Sequence, residues 1–329
     1  MTSTWPQTFL ANLTELERGQ PTRLANVSIA TRQLCVDLKY GKAHPAHYHI
    51  PNVAAVTLTQ CSNSMKDIEA EELRLEAGYI DMIAAFPQSP EKRVIAFGLY
   101  GDKPKYTHGA VANIKLARTY YPGWLCRFYV AEVPAATKEQ IKAAGGELVE
   151  VSGKDTLSRF DVARDPLVDR FLVRDIDSRL NARERFAVEE WIQSGLQLHS
   201  MRDHVNQPYE YNAGMWGGVR GSVPLLMKRI DAIPQAQRAD GMIDTETLGA
   251  VWVSYSNVTM AHDSHYCLKY RRAGHNHTLA FPTRRSLDYL HVGQVHNDNH
   301  RPRMNDVDKF LRGKMVPEAC RGRPEWITG

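Results

Sequence analysis

The chain has 329 residues, of which 43% are apolar, 24% charged and 9% aromatic, with a formal net charge of +4. That is the make-up of a soluble globular protein long enough for one large or two moderate domains. No apolar run approaches the roughly 18 residues of a membrane helix, which excludes a spanning segment of that kind.

The N-terminus, MTSTWPQTFLANLTELERGQ, lacks a basic head and a long apolar segment, so it shows no secretory signal. The five cysteines are scattered and form no CxxC pair, which points to reduced thiols in a cytoplasm and to no structural zinc. Two short β-like runs, 25–30 and 53–59, flank a loop carrying His44, His47 and His49. Residues 64–83 form a predicted helix, with Met65, Ile68, Leu75, Tyr79 and Met82 on one face. From Arg93 strands and helices alternate. VIAFGLYG (94–101), LCRFYVAEV (125–133), ELVEVSG (147–153) and FLVRDID (171–177) read as strands. HGAVANIKLARTYY (108–121) and residues 137–144 read as the helices between them. That order predicts an α/β fold with a mostly parallel sheet and right-handed crossovers.

After FLVRDID a helix is predicted from an N-cap at Asn181, with Glu184 three residues on and a stop at Ser194-Gly195. LQLHSMRDH (196–204) and VTMAHDSHY (258–266) read as further strands. NAGMWGGVRG (212–221) packs four glycines before a short helix over 223–230, and Asp244 is placed as the cap of a helix running to about Asn257.

The chemistry concentrates at RDIDSRL (174–180). Two carboxylates at a strand end cannot both hide in a core. If the strand persists, Asp175 and Asp177 share one side, as hard oxygen ligands suited to Mg²⁺ or Mn²⁺. The bland alternative is a solvated turn laced by Arg174 and Arg179. His262 and His265, after a β-like run, supply imidazole, and His262 is the candidate third metal ligand. Asp203 and His204 end another strand and are candidates for a catalytic base, against a salt bridge from Asp203 to Arg202 or Arg174. Gly98 and Gly101 at the end of FGLYG, with Tyr100 between them and Lys105 nearby, allow a nucleotide close to the backbone. In GMWGG, Gly217 admits a sugar or phosphate and Trp216 offers a stacking platform, against a turn around a core tryptophan.

Taken together, FGLYG, YYPGW, RDIDSRL, VEEWIQSG, MRDH, NAGMWGG, HDS, FPTRR and VGQ resemble the nucleotide-sugar-dependent glycosyltransferases of the GT-A fold. More narrowly, they resemble a glycosyltransferase-like branch centred on RD-x-DSR. The resemblance covers residues 93 to 296 and leaves out the first 90 residues and the basic tail. It implies a catalytic domain over 91–300, an N-terminal extension over 1–90 and a C-terminal tail over 301–329. It further implies a UDP- or GDP-sugar donor lying along the strand ends, with Mn²⁺ or Mg²⁺ bridging its phosphates. Asp177 would ligate the metal, Asp175 would hold ribose or metal, and His262 would be the later ligand. Arg159 and Arg164 would stand near the phosphates, and Gly98, Tyr100, Gly101 and Lys105 would face the nucleotide.

The resulting expectation is a metal-dependent glycosyltransferase. A sugar nucleotidyltransferase and a non-catalytic nucleic-acid-binding protein are the alternatives. The last draws on charge: between 266 and 316 ten Lys or Arg stand against Asp288, Asp298, Asp306 and Asp308, an excess of six. Such a region is compatible with a polyanionic acceptor, nucleic acid included, although a neutral glycan or protein acceptor is the commoner case.

Overall fold

The computed structural model describes residues 5, 7–18, 29–39, 58–326 and 328–329. Three helices come first: α1 (Gln7–Arg18), α2 (Ile29–Lys39) and α3 (Leu58–Ala84). The β-like runs at 25–30 and 53–59 are not strands where they are described, since 29–30 open α2 and 58–59 open α3. The loop with His44, His47 and His49 lies outside the described residues.

The sheet is built from β1 (Arg93–Tyr100), α4 (Pro104–Tyr120), β2 (Trp124–Ala131), α5 (Ala135–Ala143), β3 (Glu147–Glu150) and β4 (Arg170–Arg174). There follow α6 (Ala182–Ser194), β5 (Leu198–Arg202), β6 (Met215–Val219), α7 (Pro224–Asp231), α8 (Ile243–Trp252) and β7 (Thr259–Asp263). The last elements are α9 (Cys267–Arg272), β8 (Thr278–Leu279) and α10 (Met304–Phe310). Eight strands run in the order β3-β2-β1-β4-β6-β5-β7-β8. All pairs are parallel except those of β6, which is antiparallel to both β4 and β5. This is the expected α/β architecture, with one strand the sequence hid. GMWGG looks like a loop because glycine is a poor strand former, but tight pairing between two buried strands makes it β6.

The central strands are covered on both faces, which is why they read as continuous apolar runs. Val94, Ala96, Phe171, Val173 and Trp216 face one core, and Ile95, Phe97, Leu172 and Trp191 face the other. The chain lays β1, β2 and β3 outward, then returns to place β4 on the other flank of β1. The strand order therefore reverses between β1 and β4, where open α/β sheets leave a crevice beyond the strand ends.

Helix α6 fixes the path of the chain beyond β4. Asn181 caps it, its side-chain oxygen accepting from Glu184 N at 2.9 Å. The Glu184 carboxylate does not complete a capping box. It accepts instead from Arg174 Nε at 2.7 Å and Tyr121 Oη at 2.8 Å, burying the arginine of the RDID motif in the core. Replacing Asn181 by Ala is expected to cost about 1 kcal/mol of stability, read from denaturant midpoints at unchanged slope.

The terminal segments pack on this domain. Trp5, Leu13, Tyr79 and Phe86 enclose Phe186 of α6, and Arg323 pairs with Glu17 at 3.2 Å. Two disulfides, Cys35–Cys61 and Cys267–Cys320, overturn the reading of reduced thiols; Cys126 is free and buried. Disulfides persist in oxidising surroundings, so the cysteines no longer argue for a cytoplasm. Among the described residues no helix is long and apolar enough to cross a membrane.

Candidate functional site

The carboxylate pair lies just past β4, at the reversal of strand order. The strand does not persist through it. The chain turns at once, with Ser178 donating to the Asp175 carbonyl from N at 3.1 Å and from Oγ at 2.7 Å. Asp175 and Asp177 nonetheless face one cavity of about 380 Å³, together with Gly98, Tyr100, Lys103 and Arg159. Continuing the β1–β4 register, in which Ala96 sits beside Val173, brings Gly98 level with Asp175.

Each carboxylate has a cation. Lys105, at the start of α4, donates to Asp177 Oδ2 at 2.9 Å. Burial works against the ammonium, but Asp177 outweighs it and raises the lysine's pKa. Arg159, on the 3₁₀ turn Ser158–Arg164, donates to Asp175 Oδ1 at 2.6 Å and to Asp244 Oδ2 at 2.8 Å. Asp244 is thus not the cap of α8, which is Met242; it lies in the first turn and anchors Arg159. Tyr100 is tied to the Asp155 carbonyl and to Ser158, and burial pushes its phenol up to about 12, so it stays neutral.

The turn itself is clamped by α4, which the sequence reading missed. Asn113, fully buried, donates to the carbonyls of Ile176 at 3.3 Å and Ser178 at 3.0 Å and accepts from Leu180 N at 3.2 Å. One helical turn earlier, Gly109 lets α4 touch the same loop: a Cβ there would sit 2.2 Å from the Ile176 carbonyl oxygen. From the other side a Cβ on Gly214 would lie 2.1 Å from the Asp175 carboxylate. The i, i+4 spacing of Gly109 and Asn113 was the available signal, since it puts both on one helix face.

Other candidate residues stand elsewhere. His262 is fully buried, its ring nitrogens hydrogen-bonded to His199 Nε2 at 2.9 Å and Glu190 at 3.0 Å, and it does not line the Asp175–Asp177 cavity. Among the described residues no group of three or more His, Cys, Asp or Glu forms a metal cage. Trp216 is enclosed by Phe160, Phe171 and Trp252, so it is a core residue and not a stacking platform. Gly217 pairs with Leu172 inside the sheet, away from the cavity. Arg164 pairs with Asp161 and Asp231 outside the cavity, and Gly101 forms the turn after β1 by donating to the Ala131 carbonyl.

Asp203 is fully buried, its carboxylate accepting from Arg183, Arg285, Ser264 and Val292 N. His204 stacks beside His291 and donates or accepts nothing toward the Asp175–Asp177 cavity. Burial alone would raise the Asp203 pKa, but Arg183 and Arg285 hold it far below the usual carboxylate range. A depressed folded pKa stabilises above the unfolded value of about 3.9 and is lost as pH falls below it. Unfolding free energy should therefore drop below about pH 4, by up to ~1.4 kcal/mol per pH unit from this group. In Asp203→Asn that part of the slope should vanish, as urea titrations across pH would register.

Half of the excess of positive charge in 266–316 is taken up within the fold, by Glu72, Asp203 and Asp37 from outside the segment. Arg284, Arg285 and Arg312 are buried against Glu72, Asp203 and Asp37, and Arg303 pairs with Asp306. Arg284 and Arg312 join the C-terminal segment to α3 and α2, so these buried cations serve the fold and do not argue for a nucleic-acid partner.

No family model matches the chain, and no curated protein does. Solved structures similar to it include a mannosyltransferase from Pyrobaculum calidifontis in complex with GDP-mannose and Mn²⁺, at 11% identity over 64% of this chain and 73% of that one, TM-score 0.37. Glucosyl-3-phosphoglycerate synthase from Mycobacterium tuberculosis, with Mn²⁺, UDP-glucose and phosphoglyceric acid, is 11% identical over 57% of this chain and 72% of that one, TM-score 0.37. Mannosyl-3-phosphoglycerate synthase from Rubrobacter xylanophilus is 8% identical over 57% of this chain and 73% of that one, TM-score 0.36.

Proposed function

We propose that the chain transfers a sugar from a nucleotide-sugar donor to a hydroxyl acceptor, with the donor's diphosphate at the carboxyl ends of β1 and β4. The observation that supports this is the meeting of Asp175, Asp177 and Arg159 around one cavity at the reversal of strand order, with Lys105 paired to Asp177 although it does not itself line the cavity. A cavity of about 380 Å³ is within the range of small-molecule sites.

The donor set fits a hard divalent cation. Two carboxylates with open oxygens are too few for a protein-only cage but suit Mg²⁺ or Mn²⁺ completed by substrate phosphates and water. The Asp175 side chain, 52% exposed, has an oxygen to spare beside the one held by Arg159. When bound, such an ion neutralises the departing diphosphate.

The protein's own groups prepare the same charge. Lys105 and Arg159, held by the carboxylates, stand where negative charge accumulates on the leaving group and need little reorganisation to meet it. In the transfer, the bond from the anomeric carbon to the diphosphate oxygen breaks and its electron pair leaves with the diphosphate. The acceptor oxygen bonds to the anomeric carbon, and its proton passes to solvent. Only three residues, Gly101, Asp102 and Lys103, separate β1 from α4. That leaves no room for the glycine-rich loop a nucleotidyltransferase uses at this position.

Incubation with a panel of UDP- and GDP-sugars and Mn²⁺, following nucleoside diphosphate release, tests the reading. Metal-dependent release from at least one donor is expected. Neither release from nor binding of any donor would overturn it.

A further inference from the structure

A second cavity, of about 680 Å³, lies on the far side of the carboxylate turn. Asp175 to Asp177 line the first cavity, while Arg179, Asn181 and Arg183 line the second. Its opposite wall comes from α3 and the segment 284–296. That segment is fastened to α3 through Glu72, whose carboxylate accepts from Arg284 and from Leu287 N at 3.1 Å. It is fastened to the carboxylate turn through His296 N, which donates to the Asp177 carbonyl at 2.8 Å. One strip of chain thus joins the two cavities.

Three properties define what the second cavity would hold. The first is charge. Glu69, Glu72, Glu76 and Asp288 stand against Arg179, Arg183 and Arg284 on its walls. Two of the three guanidiniums are already taken, Arg284 by Glu72 and Arg183 by Asp203. Burial lowers the pKa of His291 to about 3, so at neutral pH it adds no positive charge. Among the described residues the walls carry no excess of positive charge for a phosphate or carboxylate acceptor.

The second property is unmet hydrogen bonding. His291 Nδ1, Gln294 Oε1, Ser286 Oγ and Arg179 Nη2 are buried without a partner. His291 and Gln294 are only 6% and 3% exposed, so water satisfies them poorly. A buried polar group left unpaired costs about 1–3 kcal/mol, which a ligand with donors and acceptors relieves. The third is apolar wall: Met65, Ile68, Leu73 and Leu290 run alongside these groups, with Leu73 and Leu290 exposed at the surface. Hydroxyls both donate and accept, and a pyranose ring adds an apolar C–H face to them.

We propose that this cavity binds an uncharged saccharide and presents its hydroxyl, across the carboxylate turn, as the acceptor. The acceptor role rests on the donor reading above; the saccharide site does not.

The test uses the full chain and saturation-transfer NMR with methyl α-glucoside, methyl α-mannoside and 3-phosphoglycerate, with UDP and GDP titrated in the presence of Mn²⁺ on the same samples. Binding of at least one methyl glycoside, at affinity on the order of millimolar, and none of 3-phosphoglycerate is expected. Leu73→Trp and Leu290→Trp, both at exposed positions and so neutral to folding, should weaken glycoside binding by about tenfold or more and leave nucleotide binding unchanged. Absence of glycoside binding to the wild type, binding indifferent to both tryptophans, or a preference for 3-phosphoglycerate would overturn the proposal. Glycoside binding without any nucleotide binding would uphold the saccharide site and remove the donor reading instead.

Discussion

Replacing Asp177 by Asn should lower transfer by roughly 10²–10³-fold, the scale of losing one preorganised charged contact to a leaving group. The substitution removes a charge in the turn after β4 and no core volume. It frees Lys105, whose 2.9 Å bond to Asp177 otherwise fixes the ammonium beside that carboxylate. The Lys105 and Asp177 side chains are partly exposed, at 29% and 15%, so the stability change should stay within about 1 kcal/mol. Turnover measured beside thermal unfolding separates the two effects. Wild-type, metal-stimulated turnover in this variant would remove Asp177 from the site.

Gly109→Ala should have the next largest effect, although Gly109 touches no donor atom. Its added methyl would fall 2.2 Å from the Ile176 carbonyl oxygen, and that oxygen is backbone, so the carboxylate turn itself has to move. Overpacking of this kind costs about 1–3 kcal/mol, and a displacement of about 1 Å at a reacting centre costs on the order of 10²-fold in rate. Gly153→Ala, where nothing lies within 4 Å of the new methyl, is the matched control and should leave rate and stability unchanged. Equal rates in the two variants would mean that α4 does not set the position of Asp175 and Asp177.

The parts legible in the sequence were those with local causes. Phe171 to Val173 announced a strand because a parallel strand covered on both faces is apolar throughout. Asn181 announced a helix start because the cap bond to Glu184 spans three residues. Asp175 and Asp177 stood out because neither had a place in a core.

What stayed hidden depends on contacts across the chain. Asn113 acquires its role only when α4 meets a turn more than 60 residues later, and Asp244 only when it meets Arg159. The converse error has the same origin. His262 and Asp203 looked like site residues because a polar side chain at a strand end suggests exposure, and Trp216 because an aromatic among glycines suggests a loop open to a ligand. The fold instead supplies His262 with Glu190 and His199, Asp203 with Arg183 and Arg285, and Trp216 with an aromatic cage. The cysteine count misled likewise. An odd total says nothing about two pairs brought together by packing, one of them between residues 53 positions apart.

The diphosphate of a sugar nucleotide and a divalent cation are expected to meet at Asp175 and Asp177, between the ends of β1 and β4. The most direct measurement is an anomalous difference map from crystals of the protein soaked with MnCl₂ and UDP. A manganese peak bonded to the Asp177 carboxylate is expected, with the diphosphate beside Lys105 and Arg159. Manganese and nucleotide bound together at another place, with the Lys105–Asp177 and Arg159–Asp175 pairs undisturbed, would contradict it.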